Sequence, residues 1–305
     1  MYINCHSYHS LRYGTLSLET LIQQAKACKA DTLALTDINT VTGIYDFAKA
    51  CNEEGIKPVV GMEFRLENSL LYIGLAKNHA GIGEICRLLT AYNCDGAELP
   101  IKAPDFENVY IVYPFSNRPA ILNDNEFIGI RPEELNFLIQ EQWYKYLEKM
   151  VVWSPVTVSG KNEHNLHRIL RSIDKNVLLS QLTSDDYCCM AEVMKPKDEL
   201  MQVFADFPQI ISNTLKILEH CNFEFNYKAP KNKKHFTGSR ESDIRLLTQL
   251  AMEGVRKKYS KDNSVALQRV GKELEVINQL NFSGYFLITW DIVRYSTSLG
   301  LMHIG

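Results

Sequence analysis

Two carboxylates stand where ligand chemistry is done in α/β proteins. Asp37 follows the short apolar run Thr32 to Leu35, and Glu63 follows the apolar pair Val59-Val60. In barrels and open α/β sheets, ligands bind at the carboxyl ends of strands. A pair of carboxylates there is what a metal or phosphate site needs. A second feature lies far along the chain. Between Asn226 and Lys272 there are twelve Lys or Arg against four Asp or Glu, a local positive patch that could neutralise phosphates. A charge run of this kind is as readily a solvated face.

The elements that must hold the carboxylates follow from spacing. Thr40 or Thr42 can cap a helix that puts Ile44, Phe47, Ala48 and Cys51 on one face, and Gly55 stops it. Thr32–Leu35, this helix and Val59-Val60 therefore form a strand-helix-strand unit with parallel strands. Before it, Ser17 precedes Leu18, Leu21, Ile22, Ala25 and Cys28, spaced as a one-faced helix. After it, strands are expected at Leu70–Ala76, Val109–Tyr113, Phe127–Ile130 and Met150–Val158. The intervening helices are expected near His79–Tyr92, from Pro132 onward through Leu135, Leu138, Trp143 and Leu147, and near Glu163–Ile173. Pro155 removes a ladder hydrogen bond and places its segment at an edge or bulge. This alternation predicts a parallel α/β fold, and pattern alone leaves an open sheet and a closed barrel both standing.

From Pro196 the pattern turns helical, over Asp198–Phe204 and Pro208–Cys221, and a domain boundary is expected near residue 225. The two domains are then 1–225 and 226–305. In the second, Leu267, Val270, Leu274, Ile277 and Leu280 mark an amphipathic helix, and Gly284–Tyr295 is apolar enough to be buried.

The 305 residues, 46% hydrophobic and 23% charged, fit a globular chain long enough for one large domain and part of another. No apolar run approaches the roughly 20 residues of a membrane helix, and Met1-Tyr2-Ile3-Asn4 lacks the basic start of an export signal. A cytoplasmic protein without a membrane partner is expected. Eight cysteines without a C-x-x-C pair argue against a zinc finger or redox motif, so most are expected as small core residues. Adjacent Cys188 and Cys189 are read as structural thiols. The net charge of -3 gives no general attraction to nucleic acid.

Specific tracts add a resemblance. Ile3-Asn4-Cys5-His6-Ser7-Tyr8-His9-Ser10-Leu11-Arg12-Tyr13-Gly14 resembles the opening of the PHP (polymerase and histidinol phosphatase) domain of bacterial replicative polymerases of the DNA polymerase III alpha family. Ala34-Leu35-Thr36-Asp37 and Gly55-Ile56-Lys57-Pro58-Val59-Val60-Gly61-Met62-Glu63-Phe64 match two further motifs of that domain. Phe204-Ala205-Asp206 through Thr214, Cys221-Asn222, Glu253-Gly254 with Tyr259, and Gly284-Tyr285-Phe286-Leu287-Ile288 with Trp290-Asp291 resemble its end and the entry into the polymerase palm. The likeness covers nearly the whole chain and is weakest between about Asp95 and Met150. It implies a distorted seven-stranded (βα) barrel of PHP type over 1–225, followed by a truncated, mainly helical beginning of a palm over 226–305.

Active members hold two or three metal ions in a cup of histidines and carboxylates and use them for phosphoester hydrolysis. Carried over position by position, that cup is degraded here. Asn4 stands at the first histidine, His6 keeps the second, and Tyr13 replaces an aspartate. Ile38 replaces a histidine, Glu63 is kept, and Pro155 and Thr157 take the late ligand pair. Ile, Pro and Tyr cannot substitute for imidazole or carboxylate. The expectation is a barrel without phosphoesterase or proofreading exonuclease activity, in which His6 and Glu63 hydrogen-bond within the loop cluster. One weakly held divalent ion on His6 and Glu63 is the lesser reading, and an active metal-dependent phosphoesterase or 3'-5' exonuclease is the rival. His9 lies where the family has an aromatic residue and is expected to pack, and Asp37 is read as a cap or turn residue.

The resemblance also implies a parent: a DNA-directed DNA polymerase, a nucleotidyltransferase of replication, using Mg2+. Its partners would be DNA, the proofreading exonuclease subunit and the sliding clamp. Lys231, Lys233 and Lys234 are the expected contacts to the DNA backbone, independent of base sequence. The chain stops at His303-Ile304-Gly305, inside a family motif and before the polymerase aspartates, so it reads as a fragment that needs no cofactor and makes no DNA alone.

Overall fold

The protein is described from a computed structural model covering residues 1–229, 232–259 and 263–301. Lys231 and the terminal His303-Ile304-Gly305 motif lie outside the described residues. The chain divides into two compact units, Met1–Phe225 and Asn226–Gly305.

In the first unit six strands make one sheet in sequence order: β1 (Thr32–Leu35), β2 (Lys57–Leu66), β3 (Ser69–Ala76), β4 (Val109–Pro114), β5 (Glu126–Ile130) and β6 (Met150–Val152). β1 and β2 are parallel, as the strand-helix-strand reading requires, and so are the pairs β4–β5 and β5–β6. The expectation of an all-parallel sheet fails at β3, which runs antiparallel to both neighbours. Only Glu67 and Asn68 separate β2 from β3, and Glu67 has φ 52°. So short a connection makes a hairpin, because a parallel crossover needs a dozen or more residues.

The expected seventh strand is absent among the described residues. In its place the N-terminal tract makes isolated parallel bridges, Tyr2 to Leu33 and Cys5 to Val156. Ala34 N donates to Tyr2 O and His6 N to Val156 O. The tract thus lies between β1 and the segment after β6, which requires the sheet to curl. Both faces of the sheet are covered. Ile3, Ala34, Val59, Ile73, Val112 and Val151 gather on one side with Ile217 and Leu218, while Leu33, Leu35, Val60, Met62 and Phe64 pack with the helices in a larger core.

The helices are α1 (Leu18–Ala27), α2 (Ile44–Glu53), α3 (His79–Cys94), α4 (Lys161–Lys175), α5 (Lys197–Val203) and α6 (Pro208–His220). Ser17 Oγ accepts from Thr20 N at 3.0 Å and caps α1. Neither Thr40 nor Thr42 caps α2; their hydroxyls bond each other, and Gly43 takes the cap position. The helix expected from Pro132 is two 3₁₀ segments, Pro132–Ile139 and Glu141–Lys149, parted by Gln140 in an extended conformation. The strand expected to reach Val158 ends at Val152, so Pro155 lies beyond the ladder. Four of the eight cysteines are buried, two are intermediate, and Cys94 and Cys189 are exposed, so the core expectation holds for half of them.

The second unit holds α7 (Arg240–Lys258), α8 (Ser264–Gln279) and α9 (Ser283–Ser298). Asp243 is buried at the start of α7 and accepts from Phe236 N, Thr237 N and Thr237 Oγ1 at 2.6–2.9 Å. The expectation that Gly284–Tyr295 is buried fails for most of its length. Ser283, Gly284 and Leu287 are inside, but Tyr285, Phe286, Ile292 and Tyr295 are exposed. A lone helix packed by one face leaves the rest of an apolar sequence in solvent. Among the described residues no helix is long and apolar enough to cross a membrane.

Candidate functional site

The site is a cleft of about 740 Å³ in the first unit, lined by Asn4, His6, Tyr13, Glu63, Arg65, Arg131, Trp153, Pro155 and Glu192 among others. The loop after β1 and the strand β2 build its floor together. Glu63 N donates to Asp37 O, and Asn39 N to Glu63 O. Asn39, at φ 49°, then clamps Arg65: its Nδ2 donates to Arg65 O at 2.7 Å and its Oδ1 accepts from Arg65 N at 2.9 Å. Asn tolerates that left-handed backbone better than branched residues do.

Glu63 is fully enclosed, and each of its oxygens is spoken for. Oε1 accepts from Arg65 Nε at 2.8 Å, and Arg65 Nη2 lies in ion-pair contact with the same oxygen at 2.5 Å. Oε2 faces His6 Nε2 at 2.9 Å and accepts from Asn4 Nδ2 at 3.0 Å. Burial pushes its carboxyl up, but Arg65 and then His6 outweigh burial and hold it down at about 2. Burial likewise works against the Arg65 charge, and Glu63 more than restores it.

Around this pair the other positions form a closed net. Asn4 Nδ2 also donates to Thr36 Oγ1, and Asn4 Oδ1 accepts from Trp153 Nε1 at 3.0 Å. Thr157 donates its hydroxyl proton to Glu192 Oε2 at 2.7 Å, which leaves its oxygen to accept from His6 Nδ1 at 3.0 Å. Tyr13 offers its ring, with Arg65 Cζ 4.6 Å from the centroid and the His6 ring edge-on at 5.6 Å. Asn4, His6, Glu63, Tyr13 and Thr157 are therefore brought together. Pro155 lines the cleft, and Ile38 packs with Tyr13, Val158 and Cys188 while its backbone bridges to Glu63.

Asp37 is not part of this net. It accepts from Ser7 N at 2.7 Å, Ser7 Oγ at 2.8 Å and Ser10 Oγ at 2.6 Å. Burial raises its carboxyl despite these donors. It ties the N-terminal loop down and is not among the residues that line the cleft. His9 touches the edge of Tyr8, with ring centroids 4.4 Å apart. Lys233 and Lys234 are exposed in the second unit, Lys233 Nζ 5.9 Å from the Phe236 centroid.

Sequence reasoning missed Arg65, Trp153, Glu192 and His167. For Arg65 the signal was partial: it follows Glu63 by two residues on β2, but the register shift between Phe64 and Arg65 sets its aim. His167 had one too, sitting with His164 on the buried side of α4. It donates from Nδ1 to Tyr13 O at 2.7 Å and accepts from Cys188 N at 2.9 Å, and burial, with Arg171 adding to it, lowers its pKa to about 4. Trp153 and Glu192 carried no local pattern.

The residues present do not fit a multinuclear metal centre. Among the described residues no group of three or more His, Cys, Asp or Glu is placed to hold an ion. The one retained carboxylate, Glu63, is already paired through Oε1 with the Arg65 guanidinium, and a cation there repels a second one. Of the other positions His6 keeps an imidazole and Asn4 offers an amide, while Tyr13, Ile38, Pro155 and Thr157 present a phenol, hydrocarbon and a hydroxyl.

The description "PHP domain" matches residues 3–226, and "Bacterial DNA polymerase III alpha NTPase domain" matches residues 245–304. Among relatives, a DNA polymerase III subunit alpha of Halalkalibacterium halodurans is 25% identical over 99% of this chain and 30% of its own length. Its counterpart from Bacillus subtilis is 24% identical, again over 99% of this chain and 30% of its own. An error-prone DNA polymerase of Symbiobacterium thermophilum is 25% identical over 100% of this chain and 33% of its own. The chain thus spans about a third of the length of these relatives.

Proposed function

The chain belongs to the PHP-domain family, is homologous to the N-terminal region of DNA polymerase III alpha subunits, and from that premise we propose that its barrel is a structural brace within a replicative polymerase. In this reading the barrel has no phosphoesterase or exonuclease activity. It stabilises the polymerase that follows and docks the separate proofreading exonuclease subunit, with the sliding clamp and DNA as partners of the longer protein. Mg2+ serves the polymerase reaction elsewhere in that protein.

The observation that carries the reading is the state of Glu63. A carboxylate that ligates a metal presents a lone pair to it, and here Arg65 pairs with Oε1 while Asn4 donates to Oε2, which also faces His6. Freeing one would leave a buried guanidinium or amide unpaired, at a cost of several kcal/mol. The phosphoesterase alternative needs two or three ions at that point.

Elemental analysis of the purified chain, paired with an assay on a generic phosphodiester, tests the reading. Less than one transition metal per chain and no turnover are expected. About one metal or more, with turnover abolished by Glu63→Ala, would count against it.

A further inference from the structure

We infer that the cup carries its own cation: the Arg65 guanidinium occupies the charge position that a divalent ion would take, making the mouth of the barrel a guanidinium site rather than a metal site. The inference rests on the degraded-cup reading and deepens it. Loss of ligands alone explains why ions are not held, but not how a buried carboxylate, an imidazole and three strand ends stay together without one.

Arg65 meets each requirement of such a cation. Its Nε donates to Glu63 Oε1 and its Nη2 lies in ion-pair contact with the same oxygen, a charge-assisted pairing that a buried carboxylate favours. Its Cζ lies 4.6 Å from the Tyr13 ring centroid, at the position where the family resemblance implies an aspartate. A neutral ring with a negative face suits an organic cation, whereas a divalent ion demands oxygen or nitrogen lone pairs. Its backbone is fixed on both sides by Asn39, so the side chain leaves the strand in a set direction. The register shift between Phe64 and Arg65 lies at the same point, where a bulge sharpens the twist and re-aims a side chain. Asn4 completes the exchange: where an imidazole would donate a lone pair to a metal, its amide donates a proton to Glu63. The substitutions at Asn4 and Tyr13 are thus complementary to one guanidinium, and Arg65 supplies it.

The test separates charge from volume. Arg65→Ala, Arg65→Met and Arg65→Lys are made in the full chain and melted at pH 7. Arg65→Ala is expected to lower the melting midpoint by roughly 10 °C, since it strands a buried carboxylate. Arg65→Met keeps the length and apolar stem and loses the charge, so it is expected to lose nearly as much, with Arg65→Lys retaining more than either. Because the guanidinium opens on the cleft, methylguanidinium chloride at millimolar concentration is expected to raise the midpoint of Arg65→Ala relative to equal sodium chloride, and to leave the unsubstituted chain unmoved. Wild-type stability in Arg65→Met, or no gain from methylguanidinium over sodium chloride, overturns the inference. Should Arg65→Ala fail to fold, the order of the Lys and Met variants decides. Neither outcome touches metal content or phosphodiester turnover, which test the brace reading by themselves.

Discussion

Trp153 Nε1 donates to Asn4 Oδ1 across 3.0 Å, and this one contact decides which way the Asn4 amide faces. An indole nitrogen is only a donor, so Asn4 Nδ2 must turn toward Glu63 and Thr36. Asn4→Asp keeps the shape and the bond to Trp153 but sets a second carboxylate about 3 Å from Glu63 Oε2, where the amide now lies at 3.0 Å. Two carboxylates that close cannot both ionise without cost. A loss of about 2–4 kcal/mol in urea unfolding at pH 7 is expected, smaller at pH 5. Equal losses at the two pH values would refute the assigned orientation.

Gly61 precedes the site on β2, where a Cβ would stand 2.0 Å from Gly74 O on the paired strand β3. Backbone pressed against backbone has nowhere to go. Gly61→Ala is expected to destabilise the first unit by about 3 kcal/mol through overpacking, read as a lower denaturant midpoint with an unchanged slope. A neutral effect would mean that the two strands are less closely paired than described.

His167 adds a pH dependence of a particular sign. Its pKa falls from 6.5 to about 4 on folding, chiefly through burial, so between those values the unfolded chain binds the proton and the folded chain does not. Stability is complete above about 6.5 and declines as pH falls toward about 4, by up to about 3 kcal/mol from this group. Glu63 acts in a lower window, from its ordinary 4.5 down to about 2. Arg171, His164 and His6 face His167 and contribute to its shift. In His167→Gln the slope of stability against pH between 4 and 6.5 is expected to flatten while the decline below 4.5 persists; an unaltered slope would assign it to other groups.

Lys233 and Lys234 are the residues on which the proposed DNA contact can be tested. Reversing both to Glu in the longer polymerase is expected to weaken DNA binding evenly across sequences. The slope of log affinity against log salt should drop by about 2, one phosphate contact for each lysine. Adding Lys231→Glu extends the same series. Unchanged affinity at low salt would make the patch a solvated face.

The chain's own order of residues determined more of this protein than its level of identity to any relative suggests. The strand-helix-strand unit, the helix following Ser17, α4 and α6 were legible, because periodicity is a local property, whereas the cup positions His6, Glu63, Tyr13, Ile38, Pro155 and Thr157 came from the family resemblance alone. The hairpin at Glu67-Asn68 breaks the alternating strand-helix rhythm, because two residues are too few for a crossover. Burial of α9 could not be read from its apolar content, since the same composition serves a core and an interface.

What only the tertiary structure decided is the company each residue keeps. Nothing in the spacing of Asn4, Trp153, Thr157 and Glu192 says that they meet, for they lie as much as 188 positions apart in the chain; strand register and the closure made by residues 2–6 bring them within hydrogen-bonding distance. The resemblance could point to the positions where the family's ligand types are replaced, because a ligand is a matter of residue type. That a guanidinium stands beside the one retained carboxylate depends on how β2 twists at Arg65, and twist is set by the pairing of whole strands.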